Sequence, residues 1–143
     1  MDKKSKIAFL FPGQGAQYPG MGKEFYAYHP LVRETFEEAN DILGYNISKI
    51  ILQGPEEELT QTKNSQAGIY VLSVALLRVL EALFPNLVPT FCAGLSLGEY
   101  SALHAAGSIS FPDGLRLVKH RGEFMNDACE ATDGTMAVIL GLE

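Results

Sequence analysis

Two short apolar stretches of the chain each end in a glycine-containing turn that a helical pattern follows. The first, "KIAFLF" at residues 6–11, runs into "PGQGAQYPGMG", and the second, "TFCAG" at residues 90–94, runs into "LSLGEYSALHAAG". Short apolar runs bounded by turn residues are typical of buried strands, and strands that alternate with helices form parallel sheets. This order predicts an α/β fold in which both stretches are buried parallel strands.

Helical patterns fill the segment between these strands. Pro30 suits the first turn of a helix that ends at Gly44. A strongly apolar helix is predicted over residues 65–84, with Arg78 and Glu81 facing outward. The residues predicted to face inward are Ile69, Leu72, Leu76, Leu80 and Leu83. We expect this second helix to lie at the centre of the core.

The last third of the chain adds a helix and a final strand. Pro112 begins a helix predicted to run to about Ala128, and "TMAVILGL" at residues 135–142 has the pattern of a strand. The composition turns polar at residues 130–134, between these two elements. This polar segment is the predicted domain boundary.

The composition limits the classes of partner and the compartment. Of the 143 residues 47% are hydrophobic, and the formal net charge of -6 disfavours nucleic-acid binding. Cys92 and Cys129 lie far apart in the chain, which predicts a reducing compartment and no disulfide or zinc site. The apolar runs at residues 7–11 and 67–77 are too short for a signal segment and a membrane span respectively. We expect a cytoplasmic protein that binds no metal, membrane or nucleic acid.

The segment Gly94-Leu95-Ser96-Leu97-Gly98 matches the pattern G-x-S-x-G. This motif needs a strand before it and a helix after it, and the flanking sequence predicts both. The sharp turn holds the serine oxygen clear of the sheet, and glycines avoid side-chain clashes there. The backbone N–H after the serine and the positive end of the helix dipole can stabilise an oxyanion. The alternative is a tight turn whose serine only caps the helix.

The glycine-rich loop after the first strand raises the question of phosphate binding. Tyr18 stands where G-x-G-x-x-G requires its third glycine, and Gly22-Lys23-Glu24 lacks the serine or threonine of a P-loop. Because the loop leaves the carboxyl end of a parallel strand, we expect it to lie beside the serine turn. Gln14, between two glycines, can then offer a second backbone N–H to an oxyanion.

Three motifs in this order, "FLFPGQGAQYPGMG", "AGLSLGEYSAL" and "GLRLVKHRGEFM", resemble the malonyl-CoA:acyl carrier protein transacylase family. The resemblance extends over the whole chain, including "QGPEEELTQT" and "GTMAVILGL". It implies an α/β-hydrolase-like large subdomain that is interrupted by an inserted ferredoxin-like small subdomain. On this pattern residues 1–130 are the first part of the large subdomain, and residues 131–143 are the first strand of the insert.

The resemblance also implies roles for five residues and no cofactor. The family's nucleophile corresponds to Ser96, and its oxyanion donors correspond to the backbone N–H groups of Gln14 and Leu97. Its carboxylate-binding arginine corresponds to Arg121, whose fixed charge and bidentate fork suit a malonyl carboxylate. Gln66 corresponds to a glutamine that lines the cleft.

Basic residues of the third motif have a second interpretation. From the residues alone, Arg121 is a candidate surface ion-pair partner of Glu123, and the motif match favours the cleft instead. Arg116 and Lys119 lie three residues apart, hence on one helical face. They are candidates for docking an acidic carrier protein, with a solvated face as the alternative.

The chain offers three histidines as a general base for Ser96. His104 lies on the same predicted helix about 12 Å along its axis, His29 is predicted at the surface, and His120 diverges from its arginine neighbour by about 100°. The resemblance places the base in sequence downstream of the insert, so we expect the chain to be C-terminally truncated. Leu95 stands where the family usually has histidine, and we expect it to alter packing beside Ser96.

Three hypotheses of function follow. The first is malonyl transfer from malonyl-CoA to the phosphopantetheine thiol of acyl carrier protein through a malonyl-serine intermediate. The second is a serine esterase or thioesterase, which delivers the acyl group to water and needs neither Arg121 nor the Gln14 loop. The third is a non-catalytic, carrier-binding fragment, consistent with the missing base. The sequence leaves malonyl and methylmalonyl groups equally open as substrates.

Overall fold

The computed structural model describes residues 6–132 and residue 141. The predicted last strand therefore lies outside the described residues, apart from Gly141. The described elements are, in chain order, β1 Ala8–Phe11, α1 Lys23–Tyr28, α2 Pro30–Leu43, α3 Ile47–Gln53, α4 Glu56–Thr60, α5 Thr62–Leu83, β2 Phe91–Gly94, α6 Gly98–Ala105 and α7 Phe111–Thr132.

The two strands form a small parallel sheet, as the sequence predicts. Ala8 is in register with Phe91, and Phe11 is in register with Gly94. Parallel strands that end in register release their following loops at the same edge of the sheet. The glycine-rich loop after β1 and the serine turn after β2 therefore start side by side.

The prediction that both strands are buried is wrong for one face of the sheet. Leu10 is 77% exposed and Phe91 is 61% exposed. Ala8 and Ala93 are also exposed, because every second residue of each strand faces the same side of the sheet. The residues between them along each strand are partly buried. Apolar composition predicts burial only where a second layer covers the strand, and no element within residues 6–132 covers this face.

Helix α5 is the central core helix, and the predicted burial of Ile69 is confirmed, but the rest of its buried face differs from the predicted one. Tyr70 and Val71 are fully buried, whereas Leu83 is 60% exposed. The predicted inward leucines instead line an apolar groove of about 570 Å³ between α5 and β1. A helix that is apolar all round gives no periodic signal for which side packs. Contacts with α2 and α7 decide the buried side.

Arg78 of α5, predicted to face outward, joins three helices. Its Nη1 donates to Thr35 Oγ1 at 2.9 Å and to Glu38 Oε2 at 2.8 Å, both on α2. Its guanidinium lies 4.8 Å from the ring centroid of Phe111 on α7. A long arginine side chain can pack its apolar stem inside and still pair its charge. The prediction that Arg78 faces outward is therefore wrong.

The predicted limits of α2 are confirmed, with Pro30 in the first turn and Gly44 at the C-cap with φ 77°. The helix that begins near Pro112 is longer than expected, because α7 continues to Thr132. Helices α1, α3 and α4 were not predicted, since five to seven residues are too few for a periodic pattern.

By length and composition α5 also meets the criterion for a membrane span. Its most apolar window has a mean hydropathy of 1.5, and 56% of that window is buried inside the protein. Buried core helices pass the same test, and α5 packs against α2, α6 and α7. We therefore describe it as a core helix.

Candidate active site

Ser96 lies in a sharp turn between β2 and α6, as the motif predicts. Its φ of 53° is the one positive value at a non-glycine position in the described part of the chain. A Cβ atom on Gly94 would collide with the backbone of Gly98, and one on Gly98 would collide with the backbone of Phe11. The two glycines therefore let α6 start directly over the ends of the strands, with the serine side chain exposed.

The glycine-rich loop passes against this turn. A Cβ atom on the buried Gly13 would press on the carbonyl oxygen of Leu95, and Leu95 N donates to Phe11 O at 3.2 Å. Gln14 follows directly, at the exposed tip of the loop. Within the described residues, the backbone N–H groups of Gln14 and Leu97 donate no hydrogen bond. Both proposed oxyanion donors thus remain without an internal acceptor.

Arg121 brings α7 to the serine. Its Nη2 donates to Ser96 Oγ at 2.7 Å, and its Nη1 donates to Gln66 Oε1 at 2.6 Å. The guanidinium carbon also lies 5.9 Å from the ring centroid of Tyr100 on α6. Glu123 is instead 3.2 Å from His120 and 4.0 Å from Lys119. The ion pair between Arg121 and Glu123 that the residues alone allowed is wrong.

Gln66 connects the arginine to the glycine-rich loop. The side chain is fully buried on α5, and its Nε2 donates to Gln14 Oε1 and to Met125 Sδ, both at 3.2 Å. Gln14 Nε2 in turn donates to Thr62 Oγ1 at 3.4 Å. A continuous chain of polar contacts therefore links the loop, α5, α7 and the serine turn.

None of the three histidines forms a hydrogen bond with Ser96 in the described structure. His104 Nδ1 lies 3.1 Å from Ile109 O, and His120 Nδ1 lies 3.2 Å from Glu123 Oε2. His29 stacks on Phe25 with 5.9 Å between ring centroids. Each imidazole contacts a group other than Ser96, so none of the three is placed as its base within the described structure.

The sequence interpretation missed Thr62, Tyr100 and Met125 as neighbours of this site. A signal existed for Met125, which follows Arg121 by four residues on α7 and so lies on the same helical face. Thr62 precedes Gln66 by four residues on α5, but it lies outside the helix that the sequence predicted from residue 65. Tyr100 is on α6, and the packing of α6 against α7 brings it close to Arg121.

Two tyrosines away from the serine have altered acidity. Burial raises the pKa of Tyr45 to about 12, and the charges of Glu123 and Glu58 add to the increase. Burial also raises the pKa of Tyr70 well above its usual range, against the opposing charge of Arg78. Both phenols are therefore neutral at physiological pH. No cluster of potential metal ligands occurs within the described residues.

The arrangement places a serine hydroxyl beside a guanidinium. Arginine only donates hydrogen bonds, so Ser96 Oγ is the acceptor in their contact and its hydroxyl proton is free to point to a base. The first turn of α6 supplies a positive dipole end beside the same oxygen. A serine ester that carries a carboxylate a few atoms from Oγ would place that carboxylate within reach of Arg121.

Known proteins with a similar sequence or structure carry acyltransferase names. Residues 8–141 match the family described as the acyl transferase domain. The malonyl CoA-acyl carrier protein transacylase of Bacillus subtilis (strain 168) is 50% identical over 139 residues, which are 97% of this chain and 43% of that protein.

Solved structures agree with the sequence match. The malonyl transacylase (MCAT) of Streptococcus pneumoniae has a TM-score of 0.80 and 47% identity over 86% of this chain and 39% of its own. A malonyl-transacylase solved in complex with its type II PKS acyl-carrier protein has a TM-score of 0.83 and 45% identity, over 87% of this chain and 40% of its own. This chain spans less than half the length of these relatives. The match to the family over residues 8–141 establishes that the chain belongs to the acyl transferase domain family.

Proposed function

We propose that this chain carries the nucleophile of a malonyl-CoA:acyl carrier protein transacylase, which works in fatty acid or polyketide synthesis in the cytoplasm. The contact of 2.7 Å between Arg121 Nη2 and Ser96 Oγ carries this proposal. It joins a nucleophile to a permanent cation, and a malonyl thioester presents the matching electrophile and carboxylate. A plain esterase has no use for such a cation beside its serine.

The reaction proceeds in two half-reactions. Ser96 Oγ attacks the thioester carbonyl of malonyl-CoA, its proton passes to a general base, and CoA leaves as the thiol with that proton. The phosphopantetheine thiol of the carrier then attacks the malonyl-serine ester and gives its proton to the same base. Ser96 leaves as the alcohol with this proton, which restores the starting state.

The backbone N–H groups of Gln14 and Leu97 stabilise the oxyanion of both tetrahedral intermediates. Each lacks an acceptor among the described residues, and a donor without a partner is free to bind developing charge. Arg121 holds the malonyl carboxylate as a bidentate pair. The guanidinium therefore moves from Ser96 Oγ to the carboxylate when the acyl group enters.

On the family resemblance the general base comes from sequence outside these 143 residues, and the other partners of the three histidines support this. A base accelerates such steps by roughly 10²–10⁴-fold. We therefore expect residues 1–143 alone to acylate Ser96 far more slowly than the full-length protein, which a comparison of the two acylation rates checks. The described helix α7 continues to Thr132, two residues beyond the predicted limit of 130. We therefore propose that in the full-length protein the hydrolase-like large subdomain extends to the end of α7 and that a ferredoxin-like insert follows it.

Peptide mass spectrometry of the full-length protein after incubation with malonyl-CoA tests the proposal. The expected result is a malonyl adduct on the peptide that contains Ser96, absent from Ser96→Ala. Addition of a carrier protein with its phosphopantetheine thiol should discharge the adduct to the carrier. An adduct on another residue, or one that persists in Ser96→Ala, would contradict the assignment of the nucleophile.

A further inference from the structure

The buried side-chain amide of Gln66 contacts both Arg121 and the glycine-rich loop of the candidate site. Gln66 is fully buried, yet the described hydrogen bonds of its side chain go to Gln14, Met125 and Arg121, all of them neighbours of the site. Its Oε1 accepts from Arg121, and its Nε2 donates to Gln14. The buried polar side chain is therefore satisfied only when the arginine and the glycine-rich loop are both in place.

Gln66 is neutral, and this matters for the arginine that it contacts. A carboxylate at this position would pair with Arg121 and compete with a substrate carboxylate for the same guanidinium. The amide oxygen at 2.6 Å orients Nη1 and leaves the positive charge uncompensated. Apart from Ser96 and Gln66, the described residues give the guanidinium no other hydrogen-bond acceptor.

The same amide also restrains the loop. Gln14 Oε1 accepts from Gln66, and Gln14 Nε2 reaches Thr62 Oγ1 at 3.4 Å, so the side chain is held at both ends of its amide. The backbone N–H of Gln14 is the proposed oxyanion donor, and glycines on both sides leave the loop free to move without this anchor.

We propose that Gln66 is a positioning residue that sets the preference for acyl groups with a free carboxylate: it orients Arg121 without neutralising it and fixes the Gln14 loop. The inference rests on the proposed malonyl transfer. Loss of the amide frees Arg121 to adopt other rotamers, which weakens malonyl selection. It also loosens the oxyanion donor, which slows transfer of any acyl group.

The test compares malonyl and acetyl transfer by full-length protein with Gln66→Leu and Gln66→Glu. Leucine removes both hydrogen-bonding functions, whereas glutamate keeps the shape and adds a competing negative charge. We expect both changes to reduce the ratio of malonyl to acetyl kcat/KM by about tenfold or more, the loss that removal of a hydrogen bond to a charged group produces. For malonyl-CoA the KM should rise as kcat falls, and for acetyl-CoA mainly kcat should fall.

Asn64 provides a matched control two residues earlier on α5. It is also a buried amide, but it bonds to Tyr45 and to Glu58 and not to the site. Asn64→Leu should lower the melting temperature and leave the malonyl to acetyl ratio unchanged. In an Arg121→Ala background, Gln66→Leu should no longer change the ratio, because the residue acts through the arginine.

The outcomes separate this inference from the proposed function. If the unmodified protein transfers malonyl groups and Gln66→Glu keeps the full ratio, Gln66 only fills space and the inference is wrong. A ratio that still falls in the Arg121→Ala background would also overturn it. Absence of malonyl transfer by the unmodified protein would refute the proposed function itself. Because glutamate is isosteric with glutamine, the Gln66→Glu variant tests the positioning role of Gln66 even if Gln66→Leu fails to fold.

Discussion

Ser96 has a backbone conformation that favours glycine, although the proposed chemistry requires a serine. Its φ of 53° places it in the left-handed region, where a side chain costs roughly 1 kcal/mol or more. The turn is fixed from both sides, by Leu95 N on Phe11 O and by the backbone contacts of the two glycines. The surrounding backbone therefore holds the strain in place.

This strain predicts different stabilities for two inactive variants. Ser96→Gly should unfold with a free energy about 1 kcal/mol higher than Ser96→Ala, because only glycine relieves the left-handed conformation. Both variants lose the hydroxyl, so the comparison isolates the backbone effect. Urea denaturation of the full-length variants measures the difference. Equal stabilities would mean that the turn relaxes without cost when the side chain changes.

Arg121 should select for the carboxylate of the acyl group. Arg121→Ala is expected to reduce malonyl transfer far more than acetyl transfer, since a hydrogen bond with a charged partner contributes about 1.5–3 kcal/mol. Steady-state rates with malonyl-CoA and acetyl-CoA give the two losses. Equal losses with both substrates would show that the guanidinium only supports the structure of the serine turn.

Helix α7 presents different residues on its two sides. Arg121 faces the serine turn, while Arg116 is exposed and pairs with Asp113 at 3.3 Å. Lys119 is partly buried and lies 4.0 Å from Glu123. Exposed ion pairs contribute little to stability, so these cations remain available to an acidic partner. The docking role of this side of α7 remains a proposal.

Charge reversal at Arg116 and Lys119 together should slow transfer to the carrier protein and leave acylation by malonyl-CoA unchanged. Removal of cations from a docking surface lowers the rate of association with an acidic partner. Rapid-mixing measurements of each half-reaction give the two rates. Lys23→Glu with Lys49→Glu is a control with the same change in net charge, on α1 and α3. Unchanged half-reactions in the test variant would place docking elsewhere.

At the scale of the whole molecule, apolar surface remains exposed on the sheet and on α5. Leu10, Leu83 and Phe91 are each at least 60% exposed. The neighbouring groove between β1 and α5 has a volume of about 570 Å³ and an almost entirely apolar lining. Contiguous apolar surface of this kind marks a contact face or promotes association.

The exposed face predicts that residues 1–143, expressed alone, self-associate. The two-stranded sheet also has open edges within the described residues, and open edges favour pairing between chains. Size-exclusion chromatography with light scattering should show mass that increases with concentration. Lysine at positions 10 and 91, introduced as Leu10→Lys and Phe91→Lys, should shift the chain toward monomer. A monomer at all concentrations before these changes would contradict the prediction.

The sequence by itself determined the features that depend on neighbouring residues. The turn at Ser96 follows from glycines at fixed offsets between a strand and a helix, and the limits of α2 follow from Pro30 and Gly44. The parallel pairing of β1 and β2 follows from the helices between them. Such local steric rules act over a few residues, so a single sequence contains all the information that they need.

The family resemblance assigned Arg121 and Gln66 to the cleft of Ser96, but only the tertiary structure decided how these distant side chains contact one another. Arg121 lies 25 residues from Ser96 and 55 residues from Gln66, and the packing of α7 on α5 brings them into hydrogen-bond contact. The sequence also could not predict which face of α5 is buried, because nearly every side of this helix is apolar. Burial depends on which layers cover a surface. The same reason explains why β1 and β2, apolar enough to be buried, expose Leu10 and Phe91 in the described structure.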